Sequence, residues 1–184
     1  MPQCDSCQLT TIGQGPGKPV NAATGKLWYR TTDLALSGPF GLNFTRWYDN
    51  QSPYNADLGF GWRHSYGAFL DVSQQALNKM IAFRDEEDRV TYFTQLTAGG
   101  SVHDDTSGSD LSLNSAGTVY TLTTWSGAKY LFDAAGRLSE LRDRIGNTQT
   151  ITRDASQRID FVTDALGRQL DFAYDASNRI VSVA

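Results

Sequence analysis

The phrases Asp133-Ala134-Ala135-Gly136-Arg137, Asp154-Ala155-Ser156-Gln157-Arg158 and Asp175-Ala176-Ser177-Asn178-Arg179 decide the fold of this chain. From Asp133 to Asp154 to Asp175 the step is 21 residues each time, and Arg137, Arg158 and Arg179 keep the same step. Between them stand Asp143-Arg144-Ile145-Gly146-Asn147 and Asp164-Ala165-Leu166-Gly167-Arg168, themselves 21 residues apart. A short unit repeated at fixed spacing usually stacks one supersecondary element on the next, and such arrays serve as walls, shells or binding surfaces.

The chemistry of the phrase predicts a tight corner. Asp suits the first position of a turn because its carboxylate accepts nearby backbone N–H groups, and Gly or Asn suits the position where the chain turns left-handed. Gln157 fits that position least well. Between corners lie strand-length stretches that alternate. Leu170, Phe172 and Tyr174 share one face against Gln169, Asp171 and Ala173; Ile159 and Phe161 alternate likewise; Thr148, Thr150 and Thr152 oppose Ile151. Period-two alternation with a turn signal every 10 or 11 residues predicts antiparallel hairpins in one continuous sheet, an all-β fold. Tyr120, Trp125, Tyr130, Phe132, Phe161, Phe172 and Tyr174 are expected to supply the contacts between neighbouring strands. The pattern runs to Val183-Ala184 without a successor strand, so an open sheet edge at the C-terminus, self-association through it, and a longer parent protein are expected.

Composition narrows the function classes. The chain has 184 residues, 40% hydrophobic and 11% aromatic, with 17 Gly, which suits a folded protein with many turns. A formal charge of −4 gives no basic footprint, so no nucleic-acid partner is expected. From Asp133 onward seven Arg face eight acidic residues and no Lys, a mixed-sign sheet surface. No run approaches the roughly 20 apolar residues that span a bilayer, and the polar start from Gln3 has no signal-peptide pattern; no membrane insertion is expected.

Three regions are expected: a lead-in over 1–18, an aromatic-rich β region over 19–110, and the repeat hairpins over 111–184. Cys4 and Cys7 form a Cys-x-x-Cys pair in the lead-in, read as a disulfide, as free thiols, or as a metal or redox pair lacking further ligands. In the middle region, Leu27 to Leu34 and Phe40 to Asp49 read as strands, the second with Leu42, Phe44, Arg46 and Tyr48 opposite Asn43, Thr45 and Trp47. Another strand is expected through Ala68-Phe69-Leu70. Asp85-Glu86-Glu87-Asp88-Arg89 reads as a degenerate form of the repeat corner, and Leu96 to Asp110 as a mobile loop. His64 reads as a structural hydrogen-bonding histidine more readily than as a general base, for want of a nucleophile fixed nearby. The corner aspartates offer one carboxylate each, too few for calcium, and Asp104, Asp105 and Asp110 read as a solvated acidic loop. Trp28, Trp47, Trp62 and Trp125 read as strand packing, with a sugar-binding platform as the competing reading. No metal, cofactor or catalytic residue is expected, so the chain reads as a non-enzyme.

Taken together, these phrases resemble the Rhs (YD-repeat) proteins. The resemblance rests on the 21-residue spacing, on Tyr174-Asp175, and on Pro19-Val20-Asn21-Ala22-Ala23-Thr24-Gly25, Phe44-Thr45-Arg46-Trp47-Tyr48 and Gly59-Phe60-Gly61-Trp62-Arg63-His64-Ser65-Tyr66. The last three are similar to the N-terminal Rhs-associated domain that precedes the repeat array in bacterial members. The resemblance implies a β-hairpin ribbon wound into a shell around a C-terminal toxin or effector, in a secreted or cell-surface bacterial protein. Its partners would be the enclosed effector and further repeats of the same chain. The family's self-cleavage motif has no counterpart here, so the resemblance carries over no catalytic residue. A carbohydrate- or protein-binding adhesion module built on exposed aromatics is the alternative.

Overall fold

In a computed structural model, which describes residues 20–184 apart from 22 and 79, the chain is all-β and antiparallel. The upstream strands are β1 (Trp28–Ala35), β2 (Asn43–Asp49), β3 (Asn55–Ala56), β4 (Gly59–Phe60), β5 (Trp62–His64), β6 (Phe69–Asp71), β7 (Met80–Arg84) and β8 (Val90–Thr94). They form a three-stranded sheet β1-β2-β5, the small hairpin β3-β4 and a three-stranded sheet β6-β7-β8; one four-residue helix, α1 (Gln75–Asn78), precedes β7. The downstream strands are β9 (Ser101–Asp104), β10 (Ser109–Leu113), β11 (Val119–Thr123), β12 (Lys129–Asp133), β13 (Leu138–Arg142), β14 (Thr148–Arg153), β15 (Ile159–Asp164), β16 (Gln169–Tyr174) and β17 (Ile180–Val183). These make one nine-stranded sheet in unbroken chain order, each strand paired with its sequence neighbours.

The sheet therefore reaches upstream of the corners quoted above. Residues 96–110, expected as a mobile loop, instead contain β9 and the start of β10. Gly99, Gly100, Asp105, Ser107 and Gly108 lie between the strands, while Val102, Leu111 and Leu113 alternate inward onto the core. Composition averaged over the segment hides that alternation.

One face of the nine-stranded sheet is apolar. Leu111, Leu122, Phe132, Leu138, Val162 and Leu170 are all at or below 2% exposure, and they share one core with Leu42, Phe44, Tyr66, Leu70, Ile81, Phe83 and Phe93 from upstream. Phe83 on β7 meets Phe132 on β12 edge-to-face at 6.0 Å, and Phe44 on β2 meets Phe172 on β16 at 5.7 Å. Each such side chain is worth roughly 1.5–3 kcal/mol on burial, so neither half keeps its core without the other. The opposite face carries Thr121, Thr150, Thr163 and Gln169 in cross-strand register, with the Glu140–Arg142 ion pair at 2.6 Å beside them.

Two expected placements change. In β15 Ile159 is buried as expected, but Val162 and not Phe161 is the next buried residue, because Thr152 pairs with Phe161 and Arg153 with Ile159, leaving Asp160 as an extra residue. That bulge moves the later side chains of β15 to the other face. Trp125 sits at a corner, 83% exposed, and makes no strand contact of the expected kind. β2 is buried on both sides: Phe44 faces β16, while Thr45 and Trp47 line a cavity of about 380 Å³ whose far wall includes Lys129, Tyr130, Leu141 and Gln149. The nine-stranded sheet curves around β2.

Candidate functional site

The five quoted corners are each held by their own aspartate. At Asp133 one carboxylate oxygen accepts the amides of Ala135 and Arg137 at 2.9 Å, and the other accepts Arg137 Nε at 2.8 Å. The backbone closes the same loop, with Asp133 N–H donating to Arg137 O and Gly136 N–H to Asp133 O, both at 2.9 Å. Asp164 repeats this with Leu166, Arg168 and Gly167. Asp154 holds Arg158 by amide and Nε at 2.9 and 2.8 Å, and Asp143 holds Asn147 in place of an arginine. Asp175 accepts the amides of Ser177 and Arg179. The fourth residue of each corner is left-handed: Gly136 at φ +80°, Gly146 at +98°, Gln157 at +67°, Gly167 at +78° and Asn178 at +60°.

Asp85 forms the same corner upstream, accepting the amides of Glu87 and Arg89 and Arg89 Nε at 2.6 Å, with Asp88 left-handed at +68°. Three further corners lack the arginine that closes the repeat phrase, so that phrase does not single them out. Asp104 leads one corner ending at Gly108, Asn114 leads another and Thr124 a third. Gly108, Gly117 and Gly127, all at positive φ, would have revealed them, since they extend the roughly ten-residue spacing of Gly136 and Gly146.

Electrostatics follow from these bonds. Burial pushes the carboxyls of Asp133, Asp154 and Asp164 upward, but the amide and arginine hydrogen bonds outweigh it and hold each below the usual carboxylate range. At Asp143 the Asn147 side chain is the leading cause of the same lowering.

Several corners also grip the upstream block. Leu70 N–H donates to Gly136 O at 2.8 Å, Arg168 Nη1 to Ser37 O at 2.7 Å, and Arg179 Nη2 to Asn55 Oδ1 at 2.7 Å, with a second Arg179 bond to Ala56 O. Ile180 N–H donates to Asp57 O at 2.8 Å, and the buried Gln149 amide donates to Phe40 O and Gly41 O at 3.1 and 3.0 Å. Arg158 turns the other way, reaching Asn178 Oδ1 at 2.9 Å on the next corner of the same rim and lying over the Tyr174 ring. The site is an interface in which one face and two rims of the repeat sheet are fixed to the upstream block.

The residues singled out for chemistry are dispersed. His64 is 1% exposed, its Nε2 lies 3.1 Å from Asp57 Oδ2, and its Nδ1 accepts the Tyr66 amide. His64 tilts over Phe172 in the core. Burial raises the Asp57 carboxyl, and the His64 ring and its hydrogen bond override that and lower it. Arg63 is 4% exposed between the rings of Tyr54 and Phe69, and donates to Gly67 O and Asp85 O. Among the described residues no group of three or more His, Cys, Asp or Glu is placed to hold a metal, and no helix is long and apolar enough to cross a membrane. Trp47 is buried and Trp125 stands alone, but Tyr29, Tyr48 and Trp62 form a row across β1, β2 and β5, with ring centroids 6.3 and 5.2 Å from Trp62. Cys4 and Cys7 lie outside the described residues.

Residues 17–93 match the family described as Domain of unknown function (DUF6531). That span runs from just before β1 into β8, so it coincides with the upstream block and leaves the nine-stranded sheet outside it. No curated protein matches the chain.

Proposed function

We propose that this chain is a structural segment of an Rhs-type (YD-repeat) β-shell that encloses a C-terminal toxin or effector, within a larger secreted or surface protein of a bacterium. The observation that carries the reading is the nine-stranded sheet in chain order, turned about every ten residues at corners of which six of the eight are led by an aspartate, and sealed on one face by the upstream block. Each hairpin alone is marginal in water, and stacking makes the array cooperative. Domains of the matched kind occur in Rhs-like proteins, which supports the same reading. In this reading the segment performs no catalysis, its Thr-rich face meets solvent or a guest, and further repeats continue from β17.

The test is the architecture of the whole encoded protein by electron cryomicroscopy. A closed wall of hairpins around a separately folded C-terminal domain is the expected result. A protein whose β-array stays open and holds nothing inside overturns the proposal.

The adhesion reading has one observation in its favour, the half-exposed Tyr29–Tyr48–Trp62 row. Stacked sugar rings would be its ligand. Glycan-array binding lost on Trp62→Ala with the fold intact would favour it over the shell.

A further inference from the structure

The corners of the nine-stranded sheet alternate between its two rims. Corners 114–118, 133–137, 154–158 and 175–179 share one rim, and corners 104–108, 124–128, 143–147 and 164–168 share the other. On the first rim the second and third residues of every corner are Ala or Ser, as in Ala134-Ala135 and Ala155-Ser156. On the second rim the last three corners carry Trp125, Ile145 and Leu166 at those positions, exposed by 83%, 79% and 62%. Turn chemistry does not ask for such side chains, since Ala and Ser close the same corner on the opposite rim.

The three corners form one ridge. A Cβ on Gly108 would lie 3.3 Å from Trp125 Cβ, and one on Gly127 would lie 3.3 Å from Arg144 Cβ, so these corners stack side by side. Corners on one rim are two strands apart, about 9.6 Å, which makes the ridge roughly 20 Å long. Leu166 ends it beside Gly38 of the upstream block, where a Cβ would stand 3.6 Å from Leu166 Cδ1.

The charges facing outward along the ridge are cationic. Arg144 is exposed, and neither it nor Lys129, which follows corner 124–128, has an ion pair among the described residues. The acids of these corners are spent on the turns: the Asp164 side chain is 1% exposed, and Asp143 accepts the amides of Ile145 and Asn147. Exposed Asp105, on the next corner of the same rim, bounds the ridge at its Trp125 end. The three tips offer on the order of 400 Å² of apolar surface, about half of what one partner gives to a standard protein interface. Separate convex tips fit a fluid partner better than a rigid one. Trp favours the headgroup level of a bilayer, Ile and Leu favour the acyl boundary, and Arg and Lys pair with phosphate.

We propose that this rim is a membrane-contact edge, with Trp125, Ile145 and Leu166 entering the headgroup–acyl boundary of a phospholipid surface and Arg144 and Lys129 meeting its phosphates. Contact of this kind needs no membrane-spanning segment. It stands on the rim alone, independent of whether the array closes into a shell.

The test mixes the chain with vesicles of phosphatidylethanolamine and phosphatidylglycerol and measures the protein that sediments with them. Saturable binding is expected. The triple variant Trp125→Ala, Ile145→Ser, Leu166→Ser gives this rim the residue types the other rim already carries. It should keep its urea midpoint and bind at least about tenfold more weakly. Arg144→Ser should weaken binding roughly fivefold, and Asp105→Asn should strengthen it, with both effects fading in high salt. Trp125→Phe should still bind but lose most of the blue shift in tryptophan emission that the unaltered chain shows on vesicles. Should the triple variant fail to fold, that spectral difference decides. No sedimentation with vesicles, equal binding by a folded triple variant, or a blue shift that survives in Trp125→Phe overturns the proposal. Self-association without lipid that the triple variant loses assigns the rim to a second copy and likewise overturns it.

Discussion

The corners Asp133–Arg137 and Asp164–Arg168 carry nearly the same phrase and the same carboxylate bonds, yet one is locked and the other is free. A Cβ on Gly136 would lie 2.0 Å from Leu70 O and 3.0 Å from Leu70 C, whereas a Cβ on Gly167 meets nothing within 4 Å. Their φ angles, +80° and +78°, are nearly equal. The difference comes from their neighbours: Phe69 bridges Arg137, and Leu70 N–H bonds Gly136 O, so the upstream block is laid directly on the first corner. At the second, contact passes through Arg168 to Ser37. The repeat builds identical corners, and the covering block decides which of them tolerate change.

The largest expected effect erases this contrast by disabling both corners at once. Asp133, Asp143, Asp154 and Asp164 all have carboxyls held below their ordinary value. A lowered folded value means the stabilisation is fully present above the unfolded carboxylate value of about 3.9 and is lost as pH falls through the folded values. Glu86, raised by its burial, titrates in the opposite sense but is a single group. Urea midpoints should therefore hold level from neutral pH toward about 5 and fall steeply below about 4. An equal midpoint at pH 7 and pH 3 would show that the carboxylates do not hold the corners.

Gly136→Ala comes next. The left-handed backbone costs about 1–2 kcal/mol for a residue with a side chain, and the methyl must displace the Leu70 backbone, so a loss of about 3 kcal/mol or more is expected in urea unfolding. Gly167→Ala has only the first term and should lose about 1–2 kcal/mol. Equal losses for the two variants would mean that Leu70 yields freely and that the block does not lock the corner. A loss at Gly167 exceeding that at Gly136 would invert the comparison.

The equivalence of the two corners could be read from their aspartates and glycines, since turn chemistry is local and lies within five residues. Their inequality could not, because Leu70 stands 66 positions before Gly136 and nothing in either phrase names the other. The same limit explains the remaining differences. Alternation placed Leu170 and Phe172 on the buried face, where they are. It misplaced Phe161 because a bulge at Asp160 is set by pairing to β14, which the β15 sequence does not encode alone. Trp125 attracted an interior role by its size, yet its corner position outweighs its hydrophobicity. The row of Tyr29, Tyr48 and Trp62 joins residues from three strands, and only the register of those strands brings them together.

The smallest expected effect sharpens the comparison from the other side. Gln157 occupies the left-handed position of its corner at φ +67°, where the neighbouring units place Gly136, Gly146, Gly167 and Asn178. Its backbone amide still donates to Asp154 O at 2.9 Å, so the corner closes despite a side chain in an unfavourable conformation. Gln157→Gly relieves that conformation but adds freedom to the unfolded chain, and these terms partly cancel. The net expectation is a gain of about 0.5 kcal/mol, seen as a small rise in urea midpoint with unchanged slope. A loss on this substitution would mean that the Gln157 side chain contributes a contact worth more than the strain. The glycines of this repeat would then be one solution among several to the corner, with the leading aspartate the feature that defines it.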